Sequence, residues 1–262
     1  MLVDGKKISQ NILEELARER ATLPARLRLG VLMGAEDAAS ASFVKIKERL
    51  ADKLRVVVVR ETLSPNATTP QALRALERLL ARSEAVIAQL PLPADVGTET
   101  VLAAIPPGKD ADAIGGGRIV RPPVAEAIAE IFVRQHVAAA GKKAVIVGAG
   151  RLVGAPAAAL LRDVGARVSV ITETTGSLAE LFDADIVVLG SGEPGLVKPQ
   201  MLKEGVILID AGTSEDVGRL SGDADPKCAE VASIFTPVPG GVGPIAVAML
   251  FKNLFILAKL QK

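Results

Sequence analysis

The feature that most constrains the fold is a glycine-rich turn between a short apolar strand and a helix. The apolar run Ala144–Val147 is followed by Gly148-Ala-Gly-Arg-Leu-Val-Gly154, and a helical pattern, Val153–Asp163, begins within that turn. A second apolar run, Arg167–Thr172, completes a β-α-β unit. Parallel strands joined by crossover helices form sheets whose faces are covered by helices. The pattern therefore predicts an α/β fold built on a parallel sheet.

The same alternation extends along the rest of the chain. It predicts two three-layer α/β domains, the second a Rossmann-type doubly wound parallel sheet. Further strands are predicted at Leu27–Met33, Val56–Val59, Ala85–Leu90, Ile186–Leu189 and Val206–Asp210. Further helices are predicted at Ile8–Glu19, Phe43–Leu54, Gln71–Arg82, Ala125–Ala139 and Ile245–Leu260. Glycine and proline cluster over 106–123, which predicts a loop between functional elements.

The glycine-rich turn predicts a binding site for a dinucleotide. Its glycines allow the backbone to approach a pyrophosphate at a helix N-terminus, and Glu173 follows the second strand, where an acid can bind the adenosine ribose. Later turns should converge on the same sheet edge. The predicted cofactor-binding residues are Gly148, Ala149, Gly150, Arg151, Val153, Gly154, Glu173, Thr174, Gly190, Gly192 and Thr213. The alternatives are a plain strand–helix turn and, for Glu173, a solvated loop carboxylate.

Composition excludes several other classes of protein. The 31 Lys and Arg nearly cancel 30 Asp and Glu, so no strong field attracts nucleic acid or an anionic membrane. Cys228 and His136 are the only residues of their types, so we predict no metal site, an inert thiol and a structural or solvent-facing imidazole. The apolar runs fall short of the roughly 20 residues that span a bilayer. A soluble, cytoplasmic protein is expected.

An ordered set of motifs resembles a known enzyme family. The motifs are Ser40-x-x-Phe43-Val44-x-x-Lys47, Gln89-Leu-Pro-Leu-Pro93, Lys109-Asp-x-Asp112, Gly148 followed by Val153-Gly154-x-Pro156, and Pro237-Val-Pro-Gly-Gly-Val-Gly-Pro244. Together they span nearly the whole chain and resemble the bifunctional methylenetetrahydrofolate dehydrogenase/methenyltetrahydrofolate cyclohydrolase family. The resemblance implies NAD(P)-dependent oxidation of methylenetetrahydrofolate and hydrolysis of the product to formyltetrahydrofolate.

The resemblance also implies a domain organisation. It implies a homodimer with a folate cleft between the domains and a last helix that returns to the first domain. That domain would then combine 1–139 with 244–262, and the nicotinamide domain would cover 140–243. The cofactor is NAD or NADP: Glu173 favours NAD by repelling a ribose phosphate, whereas Arg151 could attract one and the family resemblance favours NADP.

The family's site residues can be carried over to matching positions. Lys47 would be the central catalytic residue, Gln89 would orient it, and Asp112 would bind the pterin edge. Asp110 would be either a second substrate carboxylate or a loop cap. The remaining predicted substrate-binding residues are Phe43, Pro91, Gly240, Gly241 and Pro244.

The chain departs from the family pattern in several places. Phe43 replaces a tyrosine and so removes a hydroxyl, the loop after Asp112 is short, and Pro122-Pro-Val-Ala125 and Ala246 replace other residues. Two alternatives therefore stay open. One is another two-domain dehydrogenase of the shikimate-dehydrogenase type, and the other is a binding protein that has lost turnover.

Overall fold

The protein consists of two compact α/β units. The structure, a computed structural model, describes residues 1–35, 38–117, 119–216 and 219–261, and the side chains of 36–44 and 215–219 are outside this description. One unit, called here the three-stranded unit, comprises Asn11–Pro123 and Val247–Lys262. The other, the five-stranded unit, comprises Met1–Gln10 and Val124–Ala246.

The three-stranded unit is built on a parallel sheet of order β2-β1-β3. Its strands are β1 (Leu27–Met33), β2 (Val56–Thr62) and β3 (Ala85–Gln89). Its helices are most of α1 (Gly5–Glu19), then α2 (Ala38–Lys53), α3 (Thr69–Arg82) and α4 (Thr98–Ala103). Helix α3 begins where Gln71 Oε1 accepts the Thr68 backbone N–H at 2.8 Å. Its buried stripe Ala72, Ala75, Leu76 and Leu79 packs in the core with Leu32 and Val86 of the sheet.

The five-stranded unit contains a parallel sheet of order β10-β7-β6-β4-β5. Its strands are β4 (Lys143–Val147), β5 (Arg167–Ile171), β6 (Ile186–Leu189), β7 (Ile207–Asp210) and β10 (Ile234–Phe235), with a separate hairpin of β8 (Ser214–Asp216) and β9 (Arg219–Ser221). Its helices are α5 (Pro123–Arg134) and α6 (Gly154–Asp163). The strand order reverses between β4 and β6, and ligands bind beyond the carboxyl ends of strands at such a reversal.

Helix α7 (Val242–Leu260) begins in the five-stranded unit and ends in the three-stranded unit. Among the described residues it is the one helix whose length and composition would suit a membrane span. Most of it is buried within the protein, including Phe251 and Phe255. That burial is typical of a core helix.

The predicted α/β class and parallel sheets are confirmed, but the compact units divide the chain at other residues than the predicted domains. Residues 1–10 group with the five-stranded unit because the Met1 amino group donates to Ser233 O at 2.8 Å and the Val3 N–H donates to Phe235 O at 2.9 Å. Helix α5 also belongs to this unit. The predicted boundaries of 1–139, 140–243 and 244–262 describe functional domains and stay a prediction.

Several predicted bounds need correction: α2 begins at Ala38 rather than Phe43, β2 ends at Thr62 rather than Val59, and α7 begins at Val242 rather than Ile245. Helix α5 ends at Arg134 rather than Ala139, because the Val137 N–H turns back to Phe132 O at 2.8 Å and His136 adopts a φ of 54°. Helix α4 and the β8–β9 hairpin were not predicted, since both are too short to show a clear hydrophobic period.

Candidate functional site

A lysine and a glutamine from distant parts of the sequence meet in the three-stranded unit. Lys47 lies on α2, and its Nζ donates a hydrogen bond to Oε1 of Gln89 at 2.9 Å. Gln89 is the last residue of β3, at the carboxyl end of the parallel sheet. The side-chain amide of Gln89 also donates to Leu90 O at 3.3 Å, which limits its rotation. The predicted pairing of Lys47 with Gln89 is therefore present.

Asp112 places a carboxylate in the field of the same ammonium group. Burial lowers the pKa of Lys47, and the nearby charge of Asp112 partly opposes this change. Burial raises the pKa of Asp112 to about 6; Lys47 opposes the rise, and Asp110 adds to it. Both groups therefore titrate nearer to neutral pH than exposed lysines and aspartates do. Perturbed groups of this kind are enriched in active sites.

The loop that carries Asp112 is held by backbone and side-chain hydrogen bonds. Asp110 is buried, and its Oδ2 accepts the Gly115 N–H at 2.7 Å. The Ala111 N–H donates to Val86 O at 3.2 Å, which joins the loop to β3. These contacts support the loop-cap interpretation of Asp110.

Two residues to which the sequence analysis gave no positioning role also hold this loop. Lys109 Nζ donates to Leu80 O at 2.6 Å and to Ser83 O at 2.8 Å, at the carboxyl end of α3. On α7, the buried Asn253 side chain donates to Ala111 O at 2.9 Å and to Arg121 O at 2.8 Å. The isolated polar residue in the apolar run of α7 was the available signal for Asn253, since a buried amide needs partners.

A cavity of about 240 Å³ lies beside Gln89 in the three-stranded unit. Its lining is mainly apolar and comprises Met33, Gly34, Ala35, Pro65, Gln89, Pro91, Leu92 and Pro93. The predicted substrate residue Pro91 is thus part of its wall.

Three of the predicted cofactor glycines pack against one another at the strand reversal of the five-stranded unit. A Cβ on Gly148, whose φ is 94°, would lie 2.5 Å from Gly190 O. A Cβ on Gly154 would lie 1.9 Å from Gly148 O, and one on Gly190 would lie 2.4 Å from the Val153 side chain. Side chains at these positions would therefore force the two turns apart. Glycines allow this close packing of the two turns, as they do in dinucleotide-binding folds in general.

The other predicted cofactor residues line the same sheet edge. Ala149, Gly150 and Arg151 are exposed in the turn after β4. Glu173 and Thr174 are exposed after β5, Gly192 after β6 and Thr213 after β7. A Cβ on Gly150 would meet no described atom nearer than Gly190 O at 4.0 Å, which leaves space for a ligand to approach the backbone.

Asp223 supports this edge and was not predicted. It is fully buried, and its Oδ2 accepts the Ser191 N–H at 2.6 Å, the Ser191 hydroxyl at 2.8 Å and the Gly192 N–H at 3.2 Å. Three donors on this one carboxylate oxygen fix the turn after β6. Ser191 and Asp223 are 32 positions apart in the sequence, so no local pattern indicated the contact.

A second buried carboxylate fixes the neighbouring turn. Asp210, at the end of β7, accepts the N–H groups of Gly212 at 3.0 Å, Asp223 at 3.2 Å and Ala224 at 2.9 Å. Burial raises its pKa to about 6, against the effect of these hydrogen bonds. Both turns beyond the central strands are therefore held by acids from the same unit.

The remaining predicted residues are not brought to these sites by any described contact. Gly240, Gly241 and Pro244 belong to the five-stranded unit, where Gly240 O accepts the Gly5 N–H at 2.9 Å. The side chain of Phe43 lies outside the described residues. The substrate roles of these four positions stay predictions.

The isolated histidine and cysteine differ in their surroundings. His136 is exposed just after α5. Cys228 is buried, and burial raises the pKa of its thiol to about 11. Over the described residues no group of three or more metal-ligating side chains is found.

The fold and the two residue clusters define a class: a two-unit α/β dehydrogenase with a dinucleotide turn and a separate lysine–amide–carboxylate site. Two family models cover almost the whole chain. Residues 3–112 match the tetrahydrofolate dehydrogenase/cyclohydrolase catalytic domain, and residues 122–262 match the NAD(P)-binding domain of that family. The chain therefore belongs to the tetrahydrofolate dehydrogenase/cyclohydrolase family.

Individual relatives match this chain over nearly their full lengths. The "Bifunctional protein FolD" of Methanosphaerula palustris is 35% identical over 274 residues, covering 100% of this chain and 98% of the relative. The crystal structure of the FolD methylenetetrahydrofolate dehydrogenase/cyclohydrolase of Campylobacter jejuni matches with a TM-score of 0.92 at 31% identity, covering 100% of this chain and 99% of the other. The FolD of Trypanosoma brucei, solved with NADP and an inhibitor, gives a TM-score of 0.91 at 29% identity, with 100% and 98% covered. The predicted family, enzyme class and NAD(P)-binding domain are confirmed, and the shikimate-dehydrogenase alternative is not supported.

Proposed function

We propose that Lys47, Gln89 and Asp112 carry out the one-carbon chemistry of a methylenetetrahydrofolate dehydrogenase and methenyltetrahydrofolate cyclohydrolase. The observation that carries the proposal is the 2.9 Å hydrogen bond between Lys47 Nζ and Gln89 Oε1. It joins two side chains 42 residues apart in sequence and holds the ammonium group in the field of Asp112. A structural lysine would more often lie exposed.

The first reaction is a hydride transfer, in which the chain mainly positions the substrate. A nicotinamide dinucleotide bound at the turns of the five-stranded unit would accept the hydride that leaves the one-carbon bridge of methylenetetrahydrofolate. Asp112 would bind the polar edge of the pterin ring, with Pro91 and Gln89 beside it. Phe43, Gly240, Gly241 and Pro244 are proposed as further substrate contacts.

The second reaction adds water to the methenyl carbon, breaks the bond from this carbon to one of its two nitrogens so that a formyl group remains on the other, and releases a proton. The lowered pKa of Lys47 means that a larger part of its amine is neutral near physiological pH than in an exposed lysine. A neutral amine can accept the proton of the attacking water on its lone pair, while one of its N–H groups donates to Gln89 Oε1. Because position 43 is a phenylalanine, no side-chain hydroxyl there can share this work. Proton transfer would therefore depend on Lys47.

The predicted cofactor residues would hold the dinucleotide through backbone more than through side chains. The turns at Gly148–Gly154 and Gly190–Gly192 would receive the pyrophosphate, with Arg151 and Thr213 at their edges. Glu173 and Thr174 would face the adenosine ribose. The cofactor is NAD or NADP, and no metal is proposed.

We also propose that the protein acts as a cytoplasmic homodimer. Strand β5 is an edge strand of its sheet, and its side chains at Val168 and Val170 are half-buried rather than charged and exposed. An apolar edge strand invites pairing with a second copy. A near-neutral chain with a single buried cysteine suits a reducing compartment.

A time course of methenyltetrahydrofolate absorbance tests the proposal. The protein is incubated with methylenetetrahydrofolate and each nicotinamide dinucleotide in turn. A rise followed by decay is expected, because oxidation forms the methenyl product and hydrolysis removes it. If the absorbance rises and then falls no faster than methenyltetrahydrofolate decays without enzyme, the hydrolytic part is refuted. If the absorbance does not rise with either dinucleotide, the whole proposal is refuted.

A further inference from the structure

Glu173 provides an exposed carboxylate just after β5, next to the glycine-rich turn. The Gly148 N–H donates to Ile171 O at 2.8 Å, so the end of β5 is joined directly to the glycine-rich turn. Glu173 follows Ile171 by two residues and is exposed to solvent. In doubly wound folds an acid at the end of the second strand hydrogen-bonds the ribose 2′-hydroxyl of NAD, whereas a nearby arginine accommodates the 2′-phosphate of NADP.

The turn that carries this acid is held in one conformation. Thr172 Oγ1 accepts the N–H groups of Thr174 at 3.3 Å and Thr175 at 3.1 Å, and the Thr172 N–H donates to Thr175 O at 2.9 Å. These bonds enclose Glu173 in a closed turn. They hold the backbone at Glu173 close to the carboxyl end of β5.

The charges of the neighbouring turns do not offset the negative charge of Glu173. In the described turns 148–154, 172–177, 190–195 and 211–214, Arg151 is the one cation, against the acids Glu173 and Glu193. Ala149 and Gly150, which follow β4 directly, have no side-chain donor for a phosphate. A phosphate monoester would bring a further charge of about −1.5 to −2 to this edge.

We propose that Glu173 determines cofactor specificity and that this enzyme uses NAD in preference to NADP. The inference rests on the proposed function of the five-stranded unit in binding the dinucleotide. Glu173 would accept hydrogen bonds from the ribose hydroxyls of NAD and would repel the 2′-phosphate of NADP. One group thus supplies both the attraction for one cofactor and the repulsion of the other. In this respect the chain would differ from the Trypanosoma brucei enzyme, which was solved with NADP.

Titration of the complete protein with NADH and NADPH tests the inference without catalysis. The chain has no Trp or Tyr, so the fluorescence of the reduced nicotinamide can be followed directly. We expect the Kd for NADH to be lower than that for NADPH by about tenfold or more, since a like-charge contact costs at least that much at a partly exposed site. The ratio of kcat/KM for NAD and NADP should favour NAD in the same sense.

A variant pair locates the effect. Glu173→Ser should weaken NADH binding, strengthen NADPH binding and reduce the ratio of the two Kd values by about fivefold or more. Glu204→Gln is the matched control. Glu204 is exposed and precedes β7, at the amino ends of the strands and so opposite to the candidate site; its replacement should leave the ratio of the two Kd values unchanged.

Three results would overturn the inference. Oxidation of methylenetetrahydrofolate with NADP favoured would overturn it while leaving the proposed function intact. An unchanged Kd ratio in Glu173→Ser would remove Glu173 from its role. Binding of neither dinucleotide, together with absence of turnover, would overturn both the inference and the proposed function.

Discussion

Replacing Asp112 by asparagine should stabilise the protein while removing substrate binding. In the folded protein the pKa of Asp112 is raised from 3.8 to about 6, mainly by burial. This difference corresponds to about 3 kcal/mol of unfavourable free energy for the charged form, with the attraction of Lys47 already included. Asparagine carries no charge and so avoids this unfavourable free energy. Burial of its amide reduces the gain in stability by about 1 kcal/mol. We therefore expect a gain of about 2 kcal/mol at about pH 8.

The gain should depend on pH in a defined direction. A carboxyl group whose pKa is raised on folding makes the folded state less stable as the pH increases from 3.8 to about 6, and the full cost is present above that range. At about pH 4.5 the wild-type Asp112 is largely protonated in the folded state, so most of the cost is absent. The stability of Asp112→Asn should then be within about 0.5 kcal/mol of wild type.

Urea unfolding followed by circular dichroism at the two pH values measures this difference. Asp95→Asn is the control, because Asp95 is exposed in the same unit and its replacement should change the free energy of unfolding by less than about 0.5 kcal/mol. Equal changes for Asp112→Asn at both pH values, or a loss of stability at pH 8, would refute the reasoning. Higher stability together with lost substrate binding is expected when a residue serves function at the expense of the stability of the fold.

Three further substitutions test the supports of the two sites. Asn253→Ala should lower the free energy of unfolding by about 2–3 kcal/mol, because it removes the two buried hydrogen bonds from the Asn253 amide to Ala111 O and Arg121 O; urea unfolding measures the loss, and a change below about 0.5 kcal/mol would contradict it. Asp223→Ala should raise the Kd for the preferred dinucleotide about tenfold or more, because three charge-assisted hydrogen bonds to the turn after β6 are lost; an unchanged Kd in fluorescence titration would contradict that role. Gly154→Ala should destabilise the protein by about 2 kcal/mol or more, since its Cβ would lie 1.9 Å from a backbone oxygen; wild-type thermal stability would show that the turn can move.

Much of the five-stranded unit could be predicted from sequence because local patterns determine it. The β-branched run Ile186–Leu189 was predicted with its observed bounds, and β4, β5 and β7 were predicted to within a residue at each end. Each is short, apolar and bounded by glycine or charge, so few alternative pairings bury it as well. The glycines at 148, 154 and 190 were predicted for ligand approach, and the structure adds that they also permit the turns to pack.

The supports of the candidate sites could not be predicted because they join residues far apart in sequence. Asp223 and Ser191 are separated by 32 residues, and Asn253 and Ala111 by 142. Neither contact can be recognised from hydrophobic periodicity or from the spacing of nearby residues. The pairing of Lys47 with Gln89, 42 residues apart, was predicted from the family resemblance alone. The residue types that form a site can thus be predicted locally, whereas the partners that hold them depend on topology.

The hydrolysis rate of supplied methenyltetrahydrofolate shows whether the Lys47 amine carries the proton transfer of the second reaction. Lys47→Ala should lose about a hundredfold or more of that rate, the usual contribution of a general acid–base group. Lys45→Ala, which removes an exposed lysine two residues away on α2, should keep the wild-type rate. Hydrolysis at the wild-type rate in Lys47→Ala would contradict the account.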